Sequence, residues 1–243
     1  MYLGISANSY AGVGVDKSLF IWHPQVERGN SYGRYIKTSG LSINAPTTVK
    51  NLSSSSITGT LNGPVFVDNR FAFDGSNDNI SLPGPINAYP FTVSAWVTHN
   101  AAWTPGVNLM DEIVNMNIAG QRVSCGIVNV ASWPGNITLM YGGTSHWTAP
   151  TPATTGPGDW HQIVWTVVGS NNTAHAIYLD GVSQTMTDNG GGHGGTAGWS
   201  IGSNNTNGEY WNGSIGEVQI YNRTLSAAEV LQNFNATRGK YGV

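Results

Sequence analysis

The segment Phe91-Thr92-Val93-Ser94-Ala95-Trp96-Val97 alternates so that Phe91, Val93, Ala95 and Val97 fall on one face of an extended chain. That period of two is what a half-buried β-strand requires. The pattern recurs at short intervals. His161 to Val168 and Ala174 to Leu179 read as neighbouring strands joined by the polar loop Gly169-Ser170-Asn171-Asn172-Thr173. Asp180-Gly181 supplies the φ > 0 positions of a tight hairpin turn, so Val182 to Thr187 returns antiparallel and completes a three-stranded meander. Further strands are expected around Phe71 to Phe73, Ile113 to Ile118, Gln121 to Val128, Ile137 to Tyr141, Trp199 to Gly202 and Gly216 to Tyr221. Gly, Asn and Pro clusters separate them, and short strands so punctuated predict an all-β sandwich or barrel.

One segment reads as helix. Ser226-Ala227-Ala228-Glu229 has the spacing of a capping box, and Leu225 with Val230 forms the accompanying hydrophobic staple. The apolar positions Val230, Leu231 and Phe234 predict a short helix from Ala227 to Asn235 docked on the sandwich, followed by a polar, mobile tail from Ala236 to Val243. The first residues differ in character. Ser18 to Trp22 reads as a strand, but residues 1–43 hold too little apolar surface for a core of their own and are expected to form an arm that needs another surface. Ser39 to Thr60 reads as a linker or irregular entry into a main domain spanning 44–243.

Composition narrows the function. Charged residues make up 9% of the chain and the net charge is −3, so no positive field exists to hold a phosphate backbone or an anionic membrane. Nucleic acid and membrane insertion are excluded as expectations: apolar runs such as Ile163 to Val168 fall far short of the roughly 20 residues of a membrane helix. The opening residues lack the basic start and apolar core of a secretory leader. The single cysteine, Cys125, reads as a half-buried structural thiol with no partner for a disulfide.

Four segments, taken in order, resemble the laminin-G-like branch of the concanavalin A-like lectin/glucanase superfamily. They are Phe71-Ala72-Phe73-Asp74-Gly75-Ser76-Asn77-Asp78-Asn79-Ile80, the strand Phe91 to Val97, the pair Asp159-Trp160-His161-Gln162-Ile163 with Tyr178-Leu179-Asp180-Gly181, and the run Asn212 to Ser226. The resemblance covers about Phe71 to Phe234 and implies a two-sheet antiparallel jelly roll. Two shorter stretches, Leu19 to Gly29 with Tyr35 to Thr38, and Leu231 to Gly242, resemble phage tail, capsid-associated and other virion structural proteins. They imply a component of the virion surface, made in a host cytoplasm, whose arm contacts other virion proteins and whose copies form a homo-oligomer.

Glucanases of that superfamily set carboxylates at alternate positions of one strand, as nucleophile and general acid. No Glu-x-Asp-x-Glu run occurs here. Asp111 and Glu112 should point to opposite faces of a strand, Asp74 and Asp78 sit in a turn, and Glu217 has Gln219 where a second carboxylate would be. No Gly-x-Ser-x-Gly elbow and no paired histidine spacing appears, so neither a catalytic triad nor a zinc site is expected. The expectation is a protein without catalytic residues and without a required cofactor. Calcium at the Asp74/Asp78 turn is the alternative to those carboxylates capping their own turn.

What remains is recognition of a glycan, whose CH face packs on an aromatic ring while amides and imidazoles meet its hydroxyls. Candidate rim residues are Trp103, Trp133, His146, Trp147, Tyr210, Trp211 and Asn212; each tryptophan has the competing role of plugging an end of the sandwich. Trp96, Trp160 and Trp165 are expected to be core. The reading is a noncatalytic lectin-like jelly roll decorating a phage particle. The alternatives are a freestanding carbohydrate-binding module and, less favoured, a glycoside hydrolase.

Overall fold

The computed structural model describes residues 19–21, 48–51, 58–84, 86–100, 110–128, 135–141, 145–152, 158–170, 174–188, 198–204 and 209–243. Strands run in chain order as β1 (Leu19–Ile21), β2 (Thr48–Asn51), β3 (Thr58–Asn62), β4 (Val65–Val67), β5 (Arg70–Asp74), β6 (Asn79–Leu82), β7 (Phe91–His99) and β8 (Met110–Ile118). They continue as β9 (Gln121–Val128), β10 (Asn136–Tyr141), β11 (Ser145–Pro152), β12 (His161–Val167), β13 (Ala176–Leu179), β14 (Val182–Gln184), β15 (Thr187–Asp188), β16 (Trp199–Ile201) and β17 (Asn212–Tyr221). One α-helix, α1 (Ala227–Thr237), and a 3₁₀ turn over Arg238–Lys240 close the chain.

The strands form two sheets packed face to face. A ten-stranded sheet has the order β1-β2-β3-β6-β16-β8-β9-β10-β11-β15, and a seven-stranded sheet the order β14-β13-β12-β7-β17-β5-β4. Pairing is antiparallel except between β1 and β2 at the outer end of the larger sheet. This is the expected jelly roll, with the meander β12-β13-β14 in place. No helix among the described residues is long and apolar enough to cross a membrane.

The core lies where the alternation placed it. Row by row across the larger sheet, Ile80, Ile201, Val114, Cys125 and Leu139 are in register, and all are fully buried. Facing them from the smaller sheet are Val93, Ala95, Val97, Ile163, Trp165, Ile215, Val218 and Ile220. Cys125 is fully rather than half buried, and that burial raises its thiol pKa.

Four expectations are corrected. Ser39 to Thr60 holds β2 and the start of β3, which pair with each other; strands with a single apolar residue each, Val49 and Leu61, have no apolar alternation to announce them. His146 and Trp147 lie within β11, not in a loop, pairing with Met140 and Leu139 of β10. His161 does not act by packing alone: its Nδ1 stands 2.6 Å from Asp180 Oδ2, and Gln162 N–H donates to Asp180 Oδ1, so the carboxylate pins the meander's turn. The C-terminal tail is folded, not loose. Trp96 and Trp160 lie on the outer face of the smaller sheet, and Tyr241 stacks on Trp96 at a ring-centroid distance of 4.3 Å and packs tilted against Trp160 at 4.8 Å. Gly216 makes room for that ring, since a Cβ there would come within 2.6 Å of the Tyr241 hydroxyl.

Candidate functional site

A β-bulge in β8 between Glu112 and Val114 sets the polar chemistry of the molecule. Without it, Asp111 and Ile113 would face the core while Val114 turned outward; the extra residue returns Val114 to the core and sends Asn115 out. Gly126 lies opposite, where a Cβ would meet the Asp111 carbonyl at 2.5 Å, so the strands can close only over a bare glycine. Asp111 and Glu112 consequently serve opposite faces, as the sequence predicts. Asp111 Oδ2 reaches inward to 3.1 Å from His99 Nε2 on the other sheet.

Glu112 points away from the core and meets Arg122 of β9. The arginine Nη2 stands 3.2 Å from Glu112 Oε1 and 2.5 Å from Glu209 Oε2. Arg122 Nε donates to Ser124 Oγ at 3.0 Å, and Asn115 Nδ2 donates to Glu112 Oε2 at 3.2 Å. Asn204 Nδ2 donates to Glu209. The side chains of Glu112, Arg122 and Glu209 are 0, 3 and 4% exposed. Burial pushes the Glu112 carboxyl up to about 7 against the pull of Arg122 and the Ser124 hydroxyl, and the like charge of Glu209 adds to the rise. Burial opposes the Arg122 charge, yet Glu112 and Glu209 outweigh it and raise the guanidinium pKa.

The search for carboxylates at alternate positions of one strand misses this pair because Glu112 and Glu209 come from segments far apart in sequence. The available signal was the alternation in β9: with Val123 and Cys125 inward, Arg122 and Ser124 must share the opposite face of a central strand. Glu217, by contrast, lies on the outer face of the smaller sheet, where it accepts from Gln219 Nε2 and from Lys240 Nζ. A second bulge, between Ile215 and Val218, puts it there.

A more open cluster sits at one rim. Asn212 pairs with Asp74 across the β5/β17 ladder, and its side-chain oxygen accepts from Asn100 Nδ2 at 3.3 Å. Tyr210 and Asn212 are half-buried, while Asn100, Asp74 and Asn77 are exposed. The structure thus brings together Asn212, Asn100 and the Asp74 turn, with Tyr210 two residues before Asn212 in the chain. Trp211 is corrected: it is fully buried within the core cluster and edge-on to His99, so it plugs the sandwich and offers no ring face to a sugar. Its alternation with Tyr210 and Asn212 dictates this. Trp103 and Trp133 lie outside the described residues, and β11 places His146 and Trp147 far along the larger sheet, beside β15.

In the Asp74 turn the carboxylates bond to the backbone. Ser76 N–H donates to Asp74 Oδ1 at 2.8 Å and Asp74 N–H donates to Asp78 Oδ2 at 2.9 Å. Burial raises the Asp78 pKa while the Asp74 amide opposes the rise. Among the described residues no group of three or more His, Cys, Asp or Glu is placed to hold a metal ion.

Two stacked sheets of antiparallel strands, with one parallel pair at the edge, define a jelly-roll sandwich. Residues 74–231 match the laminin G family model of the concanavalin A-like lectin/glucanases superfamily, and the chain belongs to that family. No curated protein matches it in sequence. Among solved structures it is similar to domain 4 of AbnA, a GH43 extracellular arabinanase from Geobacillus stearothermophilus in complex with arabinotriose. That likeness has 21% identity and a TM-score of 0.53 over 72% of this chain and 86% of that one. It is also similar to Trypanosoma rangeli sialidase in complex with sialic acid, at 16% identity and a TM-score of 0.54 over 86% of this chain but 36% of the sialidase. The receptor binding domain of botulinum neurotoxin D matches at 15% identity and a TM-score of 0.52, over 79% of this chain and 52% of that one. These likenesses are of fold.

Proposed function

We propose that this chain is a noncatalytic, lectin-like attachment module that engages glycan at the Tyr210–Asn212 rim and joins a larger assembly through residues 1–43. The observation that carries the reading is the contrast between engaged and open polar groups. Glu112 and Glu209 are bonded to Arg122 out of solvent, Glu217 accepts from Gln219 and Lys240, and Asp111 faces His99. A glycosidase needs two carboxyls flanking a groove with the sugar between them; here a guanidinium occupies that place. At the rim, Tyr210 offers part of an aromatic face, and Asn212, Asn100 and Asn77 offer amides, the groups that meet a sugar's CH face and hydroxyls. The arabinotriose and sialic acid held by two of the similar structures support sugar as the ligand class.

Glycan-array binding by the full chain, lost in Tyr210→Ala, is the expected result. Absence of binding to every sugar would leave attachment alone, and reducing sugar released from a polysaccharide panel would overturn the noncatalytic reading. The assembly we propose is a bacteriophage particle carrying several copies at its surface. The resemblance of Leu19 to Gly29 and Leu231 to Gly242 to virion proteins motivates it, and a chain with 9% charged residues suits packed neighbours. Mass spectrometry and cryo-EM of purified particles test this placement, and absence of the chain from the particle would defeat it. No cofactor enters this reading.

A further inference from the structure

The chain holds Asn-Gly pairs at Asn62, Asn189, Asn207 and Asn212, of which the first and last lie among the described residues. Asparagine amides are thermolabile, and a following glycine has no Cβ to shield its nitrogen from the neighbouring amide. The two described pairs have opposite surroundings. Gly213 lies within β17, opposite Phe73 of β5 on one side and His99 of β7 on the other, and a Cβ there would overlap the Thr98 carbonyl. Asn62 is the exposed last residue of β3, and Gly63 follows in an exposed bend with φ +93°. The Gly63 N–H has no hydrogen-bond partner among the described residues. The Asn62 amide is anchored through its nitrogen, which donates to Asn79 Oδ1 at 2.9 Å and to Ser81 Oγ at 3.2 Å. Both bonds are exposed, so water competes for each partner and the hold is weak.

We propose that Asn62 is a deamidation site of the folded chain, whereas the ladder around Gly213 protects Asn212. The Gly63 nitrogen bonds to Asn62 Cγ with its lone pair as the Cγ–Nδ2 bond breaks. The Gly63 proton leaves with the departing amide as ammonia, and water then opens the succinimide at either carbonyl to give aspartate or isoaspartate.

The product carries a negative charge where an amide donated. Both donations are lost, and a carboxylate stands against Asn79 Oδ1. Isoaspartate also lengthens the backbone beside Gly63, which backs closely onto Asp78: a Cβ on Gly63 would overlap Asp78 Oδ1. Asp78 Oδ2 in turn accepts from Asp74 N–H at 2.9 Å, and Asp74 pairs with Asn212. Ageing at Asn62 therefore weakens the pairing of β3 with β6 and disturbs the Asp74 turn beside the rim. The reaction rests on the fold alone; only its bearing on sugar binding rests on the function proposed above.

The test incubates the full chain, native and in guanidinium chloride, in warm, mildly alkaline buffer. Peptide mapping by mass spectrometry then separates asparagine, aspartate and isoaspartate at each position. In the unfolded chain Asn62 and Asn212 should convert at similar rates. In the native chain Asn62 should stay within about tenfold of its unfolded rate, because an exposed strand end carries little protection. Asn212 should slow by at least about a hundredfold, because a strand paired on both sides is released only in the rare unfolded molecules. Ser81→Ala, which takes away one anchor, is expected to speed conversion at Asn62 and leave Asn212 as it was. Hydrogen exchange at the Asp74 amide should quicken in the aged wild-type chain and not in Asn62→Gln, whose longer side chain closes the ring far more slowly. Asn62 inert in the native chain while the unfolded chain converts would overturn the proposal, as would Asn212 converting as fast as Asn62. An Asp74 amide unmoved by complete conversion would overturn the link to the turn.

Discussion

On the outer face of the seven-stranded sheet, Trp96 stacks on Phe234 and Tyr241 at centroid distances of 5.7 and 4.3 Å, and Trp96 Nε1 donates to Thr237 Oγ1 at 3.0 Å. On the outer face of the ten-stranded sheet, Arg122 is held between Glu112 and Glu209. The first closure is ring packing with a hydrogen bond at its edge, which neither pH nor salt disturbs much. The second depends on charges whose desolvation is costly unless each has its partner. The same sandwich thus has one face closed mainly by packed rings and one whose closure rests on buried charge.

The largest effect should come from removing the charge at the centre of the second closure. Arg122→Met leaves two buried carboxylates without their shared donor, and breaking a buried pair in this way costs about 3 to 5 kcal/mol. Urea unfolding should show the midpoint fall accordingly, and the loss should be greater at pH 8 than at pH 5, because Glu112 can take up a proton at the lower pH. A loss under about 1 kcal/mol would mean that the cluster is solvated and that the contrast between the faces is wrong.

Tyr241→Ala tests the other face. The ring contacts both Trp96 and Trp160, and deleting it removes stacking and leaves a cavity, for an expected cost of about 2 to 3 kcal/mol. This cost should be the same at pH 5 and pH 8. Burial, then the charge of Glu217, pushes the Tyr241 hydroxyl pKa up, so the phenol is neutral throughout that range. Because the two closures lie on opposite sheets and share no partner, the double variant should lose the sum of the single losses to within about 0.5 kcal/mol.

The two faces also differ in how far the sequence disclosed them. The aromatic side was largely readable: the Phe91 to Val97 alternation fixed which residues enter the core, and the helix signals Leu225, Ser226, Glu229 and Val230 are contiguous. What escaped was Tyr241, since a lone aromatic in a polar tail does not reveal that Trp96, on the non-core side of β7, awaits it. The ionic side was hidden more deeply. Its register depends on a bulge at Glu112/Val114 that no periodicity marks, and its second carboxylate comes from a segment outside any strand. At the rim, period-two alternation sets Trp211 on the face opposite Asn212, but the bulge between Ile215 and Val218 reverses which of them faces the core, and no periodicity marks that bulge.

A smaller effect is expected where the aromatic closure begins. Ser226 Oγ accepts from Glu229 N–H at 3.3 Å, while Glu229 accepts from Ser226 N–H at 2.8 Å and from Arg223 Nη2 at 2.7 Å. Ser226→Ala removes one of these bonds and leaves an N-terminal amide of α1 to solvent, a loss of about 1 kcal/mol. Bonding to Arg223, then to Ser226, holds the Glu229 carboxyl down at about 2. A depressed value means that the contribution of Glu229 is complete above the ordinary carboxylate range and disappears as pH falls through that range toward 2. The helix end therefore weakens in acid, the direction opposite to that expected of Glu112, whose pKa is raised. Melting Ser226→Ala beside the wild-type chain at pH 7 and again near pH 2.5 should give curves that differ at neutral pH and draw together in acid. A difference that stays constant would show that Ser226 caps α1 without help from the Glu229 charge.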